Sequence, residues 1–207
     1  MNKWIAWVLV AGCGQEIVYR GQNKVPPAPP PGEVEDDQGE PPDWQNCYQG
    51  WRGKYTNLSV HDEFVAPRPT DEPAPTDPES FDYWEKPLAY EKFDPTLDFG
   101  QNWWPIDEEL EGDPMYFAVH WDAWVRAWSN TEMVFTLGSQ DDAWVYVNGE
   151  PIASKPGIQE YVRDEYRVGL EGGQYPIDVW FTHRGSAQSG FSFRVLSGDL
   201  SICYPDF

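Results

Sequence analysis

The sequence predicts an all-β fold, an antiparallel β-sandwich, and three observations carry the prediction. Among 207 residues there are 12 Trp, 11 Tyr and 10 Phe, and leucine is scarce; broad side chains pack well on pleated surfaces. The 18 glycines and 20 prolines break the chain into short elements. Apolar residues also alternate with period two in one stretch after another.

The elements follow in order from the first residue. Met1-Asn2-Lys3 gives a positive start, Trp4 to Val10 is apolar, and Ala11-Gly12 are small. That apolar run is too short to span a bilayer and has the layout of a secretory signal. Val10-Ala11-Gly12-Cys13 resembles the bacterial lipobox. The resemblance implies a signal peptide over 1–12 and a lipid on Cys13, which would anchor the chain to the bilayer. Gly14, where inner-membrane retention would call for Asp, implies an outer-membrane lipoprotein of the cell envelope, periplasmic or surface-exposed. The alternative is an ordinary signal peptide with Cys13 a free thiol.

Residues 13–46 read as a disordered tether. Pro26-Pro27-Ala28-Pro29-Pro30-Pro31 favours an extended polyproline II form, and the acids from Glu33 to Asp43 repel one another. The folded domain is expected over 47–207, with a Pro-rich surface loop at 66–80. Cys47 and Cys203 bracket it. In an exported chain they are expected to pair, closing a loop whose chain-entropy stabilisation is at most roughly 5 kcal/mol.

Within the domain, every odd position from Met115 to Ala127 is apolar, which predicts two strands with a bend near Asp122. Met133, Phe135 and Leu137 alternate next, then Ala143, Val145 and Val147. These lead into Asn148-Gly149, a type I′ hairpin signal because both residues accept positive φ. Tyr175, Ile177, Val179 and Phe181 share one face, as do Phe191, Phe193 and Val195. The segment 81–93 has room for a short helix, limited by Pro87. The expected total is about eight to ten strands.

Charge excludes one class of partner. With 14 Lys+Arg against 35 Asp+Glu, the formal charge of −21 repels phosphate backbones, so nucleic acid is not a partner. His61, His120 and His183 lack zinc-site spacing. No nucleophile elbow or phosphate loop is present, and no carboxylate pair stands out as a glycosidase dyad. The chain therefore reads as a non-enzyme.

Two blocks carry a family resemblance. Tyr48-Gln49-Gly50-Trp51-Arg52-Gly53-Lys54-Tyr55 resembles the opening of PA14-type domains. The run from Phe135 through Gln140-Asp141-Asp142 to Asn148-Gly149 resembles the signature of the PA14 superfamily and its fibro-slime branch. Gly157-Ile158-Gln159, the strand after Gly172-Gly173, and His183-Arg184 with the Phe-rich tail extend the likeness; 66–112 match nothing in it.

The resemblance implies a sandwich that binds carbohydrate. In the yeast adhesin branch two adjacent aspartates, joined by a cis peptide, hold a calcium ion that also takes sugar hydroxyls. By resemblance those metal ligands are Asp141 and Asp142, and calcium is the implied cofactor. A cis non-proline bond costs about 3–4 kcal/mol, which bound calcium with its several oxygen ligands would offset. Asn148, Gln159 and Asp164 are candidate further ligands. Trp103 and Trp104, in a loop-like segment, are candidates for stacking on sugar, with packing as the alternative. Gln140 stands where fibro-slime sequences carry another acid, and Asp141-Asp142 also read as simple turn formers.

The expectation is a lipid-anchored envelope module for glycan or surface polymer, with calcium. Its alternative is an envelope lipoprotein that binds a protein partner through the same sandwich, without sugar or calcium.

Overall fold

The structure, a computed structural model, describes residues 43–44, 47–59, 77–78, 84, 86–105, 113–185 and 188–205. The signal peptide, Cys13 and nearly all of the tether and of the 66–80 loop lie outside the described residues. So does His61.

Eleven strands are described: β1 (Trp51–Leu58), β2 (Tyr90–Asp94), β3 (Leu97–Gln101), β4 (Asp113–Ala127), β5 (Thr131–Ser139), β6 (Asp142–Val147), β7 (Glu150–Lys155), β8 (Val162–Leu170), β9 (Gly173–His183), β10 (Gly190–Ser197) and β11 (Leu200–Cys203). One sheet has the order β2-β1-β4-β9-β6-β7, with β11 also paired to β4. The other has the order β3-β10-β5-β8. Every pairing is antiparallel, so the fold is the predicted all-β sandwich.

The period-two residues meet between the sheets. Val119, Trp121 and Val125 of β4 and Tyr175, Ile177, Val179 and Phe181 of β9 face Phe135 and Leu137 of β5 and Phe191 and Phe193 of β10 in one core. Burial of each aliphatic or phenyl side chain contributes about 1.5–3 kcal/mol. The alternation of 115–127 belongs to one 15-residue strand, β4, not to two bent at Asp122. Asp122 stays in register with both Arg52 and Asp178, so nothing interrupts the ladder there. The segment 81–93 yields no α-helix among its described residues and ends in β2. Asn148 (φ 53°) and Gly149 (φ 73°) form the predicted hairpin turn between β6 and β7.

A carboxylate sits inside the core. Asp94, 3% exposed, accepts hydrogen bonds from the Tyr55 hydroxyl at 2.6 Å and the Trp121 indole at 2.9 Å. Lys92 Nζ lies 3.1 Å from its other oxygen. Burial, with Asp94 alongside, pushes the Tyr55 phenol far up and keeps it a neutral donor. Gly53 makes room for this group: a Cβ there would stand 2.7 Å from Asp94 Oδ2 and 2.9 Å from Trp121 Nε1.

The ends of the domain are tied together. Cys47 and Cys203 form the expected disulfide, with Cα atoms 5.7 Å apart and a sequence separation of 156. Beside it, Tyr48 and Tyr204 exchange backbone hydrogen bonds of 3.0 and 2.9 Å. Trp44, within the predicted tether, donates its indole N–H to Gln174 and lies over Arg126, 5.8 Å from Cζ to ring centroid. Contact with the domain therefore begins ahead of residue 47.

Two outcomes follow. Paired Cys47→Ser and Cys203→Ser substitution lowers unfolding free energy by about 2–5 kcal/mol in denaturant titration. Gly53→Ala costs about 1–3 kcal/mol through overpacking in the same assay; an unchanged midpoint would show that the Asp94 cluster shifts freely.

Candidate functional site

The chain crosses from the small sheet to the large one between β5 and β6, with only Gln140 and Asp141 outside the strands. Such a tight corner needs an unusual backbone. Asp141 supplies it with φ 70°, a left-handed conformation that aspartate tolerates better than most residues. Among the described residues no peptide bond is cis.

Both corner carboxylates are fully buried, and each is filled by N–H donors. Asp141 Oδ2 accepts from the backbone amides of Arg184 at 2.9 Å and Gly185 at 3.0 Å. Its Oδ1 accepts from the Gln159 amide at 3.3 Å. Asp142 accepts from the Gly157 amide and from Arg184 Nε, with Arg184 Nη2 at 3.4 Å. His183, also fully buried, brings Nδ1 to 3.2 Å from Asp141 Oδ2.

This donor set does not fit calcium. The ion takes six to eight oxygen ligands, whereas the groups that converge on Asp141 and Asp142 are nitrogens carrying hydrogen. The Arg184 guanidinium supplies the positive charge directly. Among the described residues no set of three or more His, Cys, Asp or Glu is placed to hold a metal ion.

Loop residues are shaped for this arrangement. Gly157 has φ 97°, a value that favours glycine, and it aims its amide at Asp142. A Cβ on Gly185 would lie 2.4 Å from Ile158 Cδ1, so the 157–159 and 184–185 loops pack against each other above the acids.

The remaining sequence candidates separate. Gln159 does border the corner, but as a donor: its Nε2 gives to the Asp141 carbonyl at 3.3 Å and the Lys155 carbonyl at 3.2 Å. Asn148 is at the far end of β6, about 20 Å from Asp142 at the usual strand rise. It cannot join a common site with Asp141. Asp164 is on β8, paired with Lys155. Trp103 stacks on Phe99 at 4.2 Å, and Trp104 meets His183 edge-on at 5.2 Å. Both pack against the core, where Trp103 meets Phe117 and Phe181 and Trp104 meets Phe117.

Sequence reasoning missed Arg184. Its signal was available: it is a lone cation beside His183 at the end of an apolar strand, in a strongly acidic chain.

Burial pushes the Asp142 carboxyl above its ordinary 3.8, and Arg184 and the Gly157 amide act against that rise. A carboxyl raised in the folded state holds its proton more tightly there. Its contribution to stability therefore falls as pH rises from 3.8 through the folded value. Without Arg184 the folded value climbs further. Arg184→Ala should cost about 3–5 kcal/mol, with the deficit in melting larger at about pH 8 than at about pH 5; a deficit independent of pH would disprove the pairing.

No family model matches the chain, and no curated protein matches it significantly. Solved structures do. The PA14 domain of the antifreeze protein MpAFP aligns with a TM-score of 0.55 at 15% identity, covering 84% of this chain and 98% of that one. The Epithelial Adhesin 9 A domain from Candida glabrata, in complex with Galb1-4GlcNAc, aligns with a TM-score of 0.54 at 12% identity, covering 78% and 90%. The chain also spans 46% of an anti-sigma factor domain-containing protein, with a TM-score of 0.49 at 18% identity. The described domain is a PA14-like β-sandwich.

Proposed function

We propose that this chain is a carbohydrate-binding module that works without catalysis, held at the cell envelope by a lipid on Cys13. The observation that carries the reading is the likeness of the sandwich, over 78% of the chain, to an adhesin domain captured with a disaccharide. At this level of identity the likeness establishes fold, so the ligand class is our inference.

The corner acids are not placed for catalysis. A general acid or nucleophile must reach its substrate, and Asp141 and Asp142 are sealed from solvent with their oxygens engaged. The corner acts instead as a brace: four backbone N–H donors and a guanidinium fix the 157–159 and 184–185 loops at the sandwich rim. Recognition in this reading does not run through a metal. The N–H donors occupy the carboxylate oxygens that calcium would need.

An array of neutral and acidic glycans, probed with the full chain, tests this. Binding is expected to be equal in calcium and in chelator, and calcium is expected to leave the melting temperature unchanged. Retention only in calcium would overturn the metal-free reading, and an array with no retained glycan would refute carbohydrate binding.

A further inference from the structure

The outer face of the large sheet, opposite the core, carries residues that the corner does not use. Strand alternation puts Arg52 and Lys54 of β1, His120 and Asp122 of β4, and Asp178 and Trp180 of β9 on that face. Register then lines them up in two rows. Lys54 pairs with His120, and His120 with Trp180; in the next row Arg52 pairs with Asp122, and Asp122 with Asp178.

The first row builds an aromatic wall. The His120 ring lies flat on Trp180 at 3.5 Å and 3°, and Trp84 meets Trp180 edge-on at 4.7 Å. A depression of about 130 Å³ opens beside this wall, lined by Lys54, Thr56, Trp84, Leu88, His120 and Trp180. The second row supplies paired charge. Arg52 Nε and Nη2 are each 3.0 Å from Asp122 Oδ1, Lys54 Nζ is 3.5 Å from the same oxygen, and His120 Nε2 is 2.8 Å from Asp178 Oδ1.

These residues suit one kind of ligand. A pyranose ring has an apolar C–H face, which packs on aromatic carbon, and a rim of hydroxyls, each both donor and acceptor. The depression offers an aromatic wall beside the part-exposed Lys54 ammonium, backed by ionised pairs that strengthen hydrogen bonds. Its charge is also balanced. Arg52 and Lys54 offset Asp122 and Asp178, so the patch has no strong field of either sign in a chain of net charge −21. That favours an uncharged sugar over an acidic one.

We propose that the depression between β1, β4 and β9 is a binding site for a neutral hexopyranose unit, with the His120–Trp180 pair as its wall and Lys54 as its hydrogen-bonding head. The proposal rests on the carbohydrate reading above and assigns that binding to the sheet face instead of the loop rim.

The test uses the full chain and neutral oligosaccharides, lactose among them, titrated by calorimetry. Lys54→Ala and His120→Ala are each expected to weaken binding by about tenfold or more, while Ile158→Ala on the rim loop leaves it unchanged. Lys54 is part-exposed, and an unshifted melting temperature for Lys54→Ala separates lost binding from lost fold. If Ile158→Ala weakens binding and Lys54→Ala does not, the sheet-face site is overturned while the carbohydrate reading survives. If uronic-acid oligosaccharides bind and neutral ones do not, the assignment to uncharged sugar fails. If no sugar binds the unsubstituted chain, both readings fall together.

Discussion

A sandwich must pass its chain from one sheet to the other, and here the passage between β5 and β6 takes two residues. The turn puts two neighbouring carboxylates in a dry corner. Unpaired charge in such a place would cost several kcal/mol. The corner therefore depends on donors brought from elsewhere: amides from 157–159 and 184–185, and the guanidinium of Arg184. Three separate stretches of chain are fixed at once by the need to neutralise one site. The left-handed backbone at Asp141 is held by the same contacts, with Ser139 Oγ donating to its carbonyl at 2.7 Å.

A divalent ion and a guanidinium solve the same electrostatic problem by different chemistry. The ion needs oxygens around it and leaves coordination positions through which a ligand can enter. Arginine needs acceptors, projects donors in a plane, and uses them up on the carboxylates it faces. A corner closed by Arg184 is a structural brace, so in the reading proposed above ligand recognition falls to other surfaces. That redistribution gives the outer face of the large sheet its interest. Its part-buried rows mix aromatic rings with paired charges, whereas an ordinary solvated face would carry scattered single charges.

The same logic of internal compensation recurs in the core. Asp94 is tolerated between the sheets because Tyr55, Trp121 and Lys92 converge on it, and because Gly53 leaves the volume for them. At the domain's ends the Cys47–Cys203 disulfide and the Tyr48–Tyr204 bridge join the strand that opens the fold to the one that closes it. β1 and β11 both pair with β4, so that closure also seals one long edge of β4.

Much was legible in the sequence because it is written in local periodicity. Alternation along 117–127, 133–137 and 175–181 named core residues, while Met115 of the same pattern is exposed, and Asn148-Gly149 named the hairpin, since each signal depends only on neighbours along the chain. The cysteine pair was legible from its position at the two ends of the domain. β2 and β3 were not, because their short, polar-rich segments become strands only by pairing with β1 and β10. Trp144 and Trp180 lie on the other face of the large sheet, where Trp144 is buried in a second, smaller cluster with Leu58 and Ala118 that Trp180 packs against; alternation alone does not say that both faces of a sheet are covered. The acidic pair was visible, but its counter-charge was not. Arg184 stands 42 residues from Asp142 in sequence, and no local pattern links them. Composition and period determined that this chain is a β-sandwich; only the folded register decided that a guanidinium faces Asp142, because that contact is made across strands.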